Sequence, residues 1–100
     1  MNTGSLKPRA VAALCALRSG PRTTISIRKA IGDKRCSSTH DLMTDLRRDL
    51  GYVELAGGGF WHLTYEGCNW CEREGLPVSH DARKVACDPR RASEVAGGGQ

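Results

Sequence analysis

"SSTHDLMTDLRRDLGYVELAGGGFWHLTYEG", residues 37–67, carries two periodicities back to back. In its first half Leu42, Leu46 and Leu50 recur every four residues, the spacing of one face of an α-helix. After Gly51 the period drops to two: Val53 and Leu55 alternate before a run of glycines, and Trp61 and Leu63 alternate after it. The stretch reads as a helix over 37–50 that runs into a β-hairpin. Gly57, Gly58 and Gly59 supply the positive φ angles that a tight connection needs. Ser37 or Ser38 is expected to cap the helix, and Asp41 in its first turn complements the helix dipole. Thr64 stands where a cap would open a further short helix over 65–74.

Upstream, Pro8 suits a first helical turn, and Val11, Leu14 and Cys15 make one face of a helix over 8–19 that Gly20-Pro21 ends. Thr24 is expected to cap a second helix over 25–31, with Ile27, Ala30 and Ile31 as its apolar stripe. The alternative for Arg22 to Thr24 is a brief strand. Downstream, residues 79–87 can form a short helix, and the "AGGGQ" end is expected to be flexible. The division is a folded domain over 1–76 and a largely flexible tail over 77–100. The expected core is Val11, Leu14, Ile27, Ile31, Leu42, Leu46, Val53, Leu55, Trp61 and Leu63.

One hundred residues with 39% apolar and 5% aromatic content allow one small domain with a modest core. No apolar run approaches the ~20 residues that span a bilayer, so no membrane partner is expected. "AVAALCAL" is too short for a signal peptide core and runs directly into Arg18, so a cytoplasmic setting with reduced cysteines is expected. Charge is uneven. Residues 1–35 hold eight Lys or Arg against Asp33, a surplus of seven, in a chain whose net charge is +4. The front half is therefore basic and residues 36–75 are acidic. A basic front on a small domain points to a polyanion.

The order helix, helix, helix, hairpin, helix resembles the winged helix-turn-helix, an α+β fold with a three-helix core, a two-stranded β-hairpin wing and a short C-terminal helix. "TTISIRKAIG" is similar to its second helix, and "SSTHDLMTDLRRDLGYVE" to a recognition helix running into the wing. "GGGFWHLTYEG" is similar to the return strand of MarR-, PadR- and ArsR-like regulators. The small size is also similar to compact helix-turn-helix proteins of actinobacterial phages. The resemblance implies sequence-specific binding of double-stranded DNA by a small transcriptional regulator or DNA-architectural factor, with helix 37–50 in the major groove. Ser37, Ser38, Thr39 and His40 would then lie near base edges, and Thr44, Arg47 and Arg48 along the groove wall. Arg22, Arg28, Lys29, Lys34 and Arg35 would meet phosphates. Three features depart from the pattern. Asp41, Asp45 and Asp49 share the helix with Arg47 and Arg48, and the wing tip carries no Lys or Arg. Long dimerisation helices are also missing, which leaves a monomer or a weak homodimer.

Cys68-x-x-Cys71 at the start of the last predicted helix has three readings: helix packing, a metal site completed by His80 and Cys87, or a redox-sensitive pair with lowered pKa values. Packing is the simplest. No phosphate loop, catalytic triad or cofactor motif is present, so no enzyme activity and no cofactor are expected. Two alternatives to a DNA regulator stay open. One is a winged-helix protein-interaction module using Phe60 on the wing. The other is a metal- or thiol-responsive regulator using Cys68 and Cys71.

Overall fold

The computed structural model describes residues 6–88. Its first helix, α1 (Pro8–Ala16), begins on Pro8 and buries Ala10, Ala13 and Leu14. It ends three residues earlier than expected. The N–H groups of Leu17 and Arg18 turn back to the carbonyls of Leu14 and Cys15, at 3.1 and 3.2 Å, which tightens the last turn before Gly20. Strand β1 (Arg22–Thr23) follows, so the brief strand forms in addition to a second helix. Helix α2 (Thr24–Ile31) is capped by Thr23 and not Thr24: the Thr23 hydroxyl accepts from the Ser26 N–H at 3.2 Å. Gly32, at φ 80°, ends it in the left-handed conformation.

Helix α3 (Cys36–Asp45) begins on Arg35 as its N-cap, without a side-chain cap; neither Ser37 nor Ser38 plays that part. It does not run regularly to residue 50. Leu46–Leu50 form a π turn, closed where the Tyr52 N–H reaches the Leu46 carbonyl at 3.3 Å and Gly51 adopts φ 66°. A π turn takes more residues per revolution than an α-helix, so the expected Leu42–Leu46–Leu50 stripe loses its register. Leu46 is buried, Leu50 turns outward, and Met43 fills the core position.

Strands β2 (Val53–Ala56) and β3 (Phe60–Leu63) form the hairpin around Gly57–Gly59. Val53 pairs with Leu63, and Leu55 with Trp61. The sheet has three antiparallel strands in the order β1-β3-β2, with Arg22 opposite Trp61. Leu55 is corrected as a core residue: it lies on the edge strand near the glycine tip and is 40% exposed. Trp61, on the central strand, is buried, and its indole N–H donates to the Thr24 hydroxyl at 2.9 Å.

Helix α4 (Tyr65–Arg73) opens on Thr64 as the sequence indicates: its hydroxyl accepts from the Gly67 N–H at 3.1 Å. The same hydroxyl donates to the Gly51 carbonyl at 2.5 Å. Helix α5 (His80–Cys87) is capped by Ser79 and packs against α4 and β3, burying Ala82 and Val85. Residues 79–87 thus carry the short helix the sequence allowed, and α5 lies against the face of β3 opposite Trp61 and Leu63. That face carries His62, which is buried like its neighbours Trp61 and Leu63. The expected flexible end, over residues 89–100, lies outside the described residues.

The fold is α+β: five helices and one small three-stranded antiparallel sheet among the described residues. Leu14, Ile27, Leu46, Val53, Trp61 and Leu63 are core residues as expected, and Val11, Ile31 and Leu42 pack against them half-buried. Leu17, Met43, Cys68, Trp70 and Cys71 complete the core. Gly67 is required by closeness: a Cβ there would collide with the Tyr52 carbonyl oxygen and press on Leu63 Cδ2 at 3.2 Å. Gly67→Ala should therefore cost about 3 kcal/mol in urea unfolding. Gly57→Ala, which meets nothing within 4 Å, should leave the midpoint nearly unchanged.

Candidate functional site

The turn between α2 and α3 is organised by Asp33. Its carboxylate accepts from Arg9 Nε at 2.9 Å and Arg9 Nη2 at 2.5 Å, a two-pronged grip from α1. The Thr39 hydroxyl of α3 donates to Asp33 Oδ2 at 2.8 Å, and Arg28 Nη1 of α2 donates to the Asp33 carbonyl at 3.2 Å. The guanidinium of Arg9 holds the Asp33 carboxyl below its ordinary range, with the Thr39 hydroxyl acting in the same direction. All three helices therefore meet at one residue.

This network reassigns several residues expected to face DNA. Thr39 is fully buried and turned toward Asp33, so it cannot reach a base edge. Arg28 is half-buried on its bond to the Asp33 carbonyl. Arg22 binds inward as well: Nε donates to the Ala16 carbonyl at 2.6 Å and Nη1 to the Ser26 hydroxyl at 3.1 Å, which ties β1 to the end of α1.

Around the N-terminus of α3 the surface is different. Lys29, Lys34 and Arg35 are exposed, and their side chains have no ion-pair or hydrogen-bond partner among the described residues. Ser37, Ser38 and His40 are exposed beside them. The first ladder bond of α3 is a long one, Thr39 N–H to the Arg35 carbonyl at 3.4 Å, so the N–H groups before it point out of the helix end. The His40 ring stands edge-on to Trp61, centroids 5.8 Å apart at 64°. An open groove of about 850 Å³ runs beside this end, and its lining mixes the bases Lys7, Arg9, Lys34 and Arg35 with the acids Asp33, Asp41 and Asp45.

The second half of the helix is neutralised locally. Arg47 is ion-paired with Glu54 of β2. Arg48 reaches Asp45 at 3.1 Å and Asp49 at 3.8 Å. Thr44 is half-buried between the two halves. At the hairpin, Phe60 is half-buried, and His62 faces inward with Nδ1 2.9 Å from the Leu63 carbonyl and Nε2 without a partner among the described residues.

No protein-family model, curated protein or solved structure matches this chain.

Cys68 and Cys71 are fully buried in the core. Burial pushes both thiols up, Cys71 to about 11, with the neighbouring thiols of Cys15 and Cys68 adding to the rise. The lowered values expected of the redox reading are therefore corrected: burial acts in the opposite direction on both thiols. His80 and Cys87 are exposed, and no three His, Cys, Asp or Glu side chains gather as a metal site among the described residues.

Asp33 and Arg9 are the site residues that sequence reasoning missed. They are 24 positions apart, and no local pattern joins them; the only cue was Asp33 as the sole acid in a basic front half. Because the folded Asp33 carboxyl ionises below its ordinary value of 3.8, its stabilisation is complete above that pH and fades as pH falls below it. Asp33→Asn should unfold at lower urea than wild type at about pH 6, and the gap should narrow in acid below the ordinary carboxylate range. In native protein, iodoacetamide should label Cys36 and Cys87 quickly, and Cys68 and Cys71 only after unfolding, as read by peptide mass spectrometry.

Proposed function

We propose that this protein binds double-stranded DNA as a small winged helix-turn-helix factor, a transcriptional regulator or DNA-architectural protein acting in the cytoplasm as a monomer or weak dimer. The observation that supports it most is the uncapped start of α3, flanked by Lys34 and Arg35, exposed and unpaired among the described residues. The element order α1-β1-α2-α3-β2-β3, with sheet order β1-β3-β2, is compatible with that fold, in which α3 would serve as the recognition helix. Outward N–H groups and the Ser37 and Ser38 hydroxyls are donors suited to phosphate oxygens. Lys29, Lys34 and Arg35 supply the salt-sensitive attraction. His40, steadied against Trp61, is the side chain in this set best held for a base edge.

The approach is by the N-terminal end of α3 and not along its length. Asp41, Asp45 and Asp49 repel phosphates from the far half, and Arg47 and Arg48 offset that repulsion where they pair with acids. A second reading, a protein-interaction module, is favoured by exposed Leu50 and Leu55 on packed elements that also carry Asp49 and Glu54.

Fluorescence anisotropy of a labelled mixed-sequence duplex, titrated at two salt concentrations, tests the proposal. Lys34→Glu with Arg35→Glu should weaken binding by about tenfold or more at low salt and flatten the salt dependence by about one unit of slope per lost phosphate contact. Arg47→Ala with Arg48→Ala should change affinity by less than about threefold, since these charges are already paired. A folded wild type that fails to bind at low salt would reject DNA as the partner and favour the second reading.

A further inference from the structure

All five thiols are free, and the proposed DNA surface uses none of them. Two of them, Cys68 and Cys87, stand on the last two helices, which join through a tight turn. After α4 the chain turns at Gly75, φ 78°, and the Leu76 N–H returns to the Cys71 carbonyl at 2.8 Å, a close that reverses the chain direction. Helix α5 then folds back on α4. Near the turn, Arg83 of α5 grips Glu72 of α4 through Nη2 at 2.5 Å and Nε at 3.2 Å. One helical turn further from the connection stand Cys68 on α4 and Cys87 on α5. Cys68 is buried, whereas Cys87 is exposed. Their closeness has a second sign: a charge on Cys87 acts on Cys68, raising its pKa.

We infer that Cys68 and Cys87 are a latent disulfide pair, closed by a hydroperoxide, that staples α5 to α4. Cys87 reacts first because the oxidant can reach it. Its sulfur attacks the peroxide, an S–O bond forms, the O–O bond breaks, and one water leaves with two electrons moved from sulfur to peroxide. The Cys68 sulfur, giving up its proton, then attacks the Cys87 sulfur. The S–S bond forms, the S–O bond breaks, and a second water leaves. Two thiols and one hydrogen peroxide thus give one disulfide and two waters. Burial slows ionisation of Cys68, but a neighbour held on the same helix pair has a high effective concentration. Cys71 also neighbours Cys15 and Cys68, but none of those three thiols is exposed to an oxidant as Cys87 is, and Cys36 is exposed on α3. The staple would fix α5 over β3 and His62, and leave the start of α3 untouched.

The experiment uses the full chain carrying Cys36→Ser, which removes links between molecules through Cys36, treated at low protein concentration with one equivalent of hydrogen peroxide. Trypsin without reductant should release residues 49–73 joined to residues 85–90, and fragmentation should place the bond on Cys68. Cys87→Ser, a change at an exposed position, should abolish the linked species. The oxidised protein should melt roughly 10 °C higher, reversibly with dithiothreitol. A Cys68–Cys71 bond within residues 49–73, or Cys87 carried on to sulfinic acid while Cys68 stays a thiol, would overturn the inference.

Discussion

The Asp33 carboxylate is the tie on which the arrangement of the three leading helices depends. It is held by Arg9 of α1 and Thr39 of α3, while its own carbonyl holds Arg28 of α2. A two-pronged guanidinium–carboxylate contact fixes orientation as well as distance. The Thr39 bond matters for another reason: Thr39 is fully buried, and without Asp33 its hydroxyl would be left with the Arg35 carbonyl at 3.5 Å. The start of α3 is therefore anchored from inside, which frees Ser37, Ser38 and His40 to face outward.

The same tie explains the uneven behaviour of the basic residues. By sequence, Arg9, Arg22, Arg28, Lys29, Lys34 and Arg35 form one positive group. In the fold they divide. Arg9, Arg22 and Arg28 hold helices together through directed hydrogen bonds, a task suited to the planar guanidinium. Lys29, Lys34 and Arg35 stay in solvent. Of these six charges, those left free in solvent are fewer than composition indicates, and they lie at the end of α2 and the start of α3.

What the sequence made legible was local. The change of period at Gly51, the glycine connection and the Thr64 cap each rest on residues within a few positions, and each formed. What escaped it depends on distant or cooperative contacts. Arg9 and Asp33 share no pattern. The π turn follows from a hydrogen-bond slip closed at Gly51 and Tyr52, which a four-residue leucine repeat conceals. The inward turn of Thr39 and His62 needed knowledge of what covers them, Asp33 in one case and α5 in the other. Lys34 and Ser38 are exposed, because polar residues at a helix start seldom find cover.

The two tryptophans are both buried, yet they stand in different company. Trp61 donates its indole proton to Thr24 and meets the edge of His40, whereas Trp70 tilts against Tyr52 at 6.0 Å. One indole is thus wired to the outer surface of α3 and the other to the interior of the second half. Their emission is a pair of built-in lamps in separate surroundings: a change at His40 should reach Trp61, whereas a change at Tyr52 should reach Trp70.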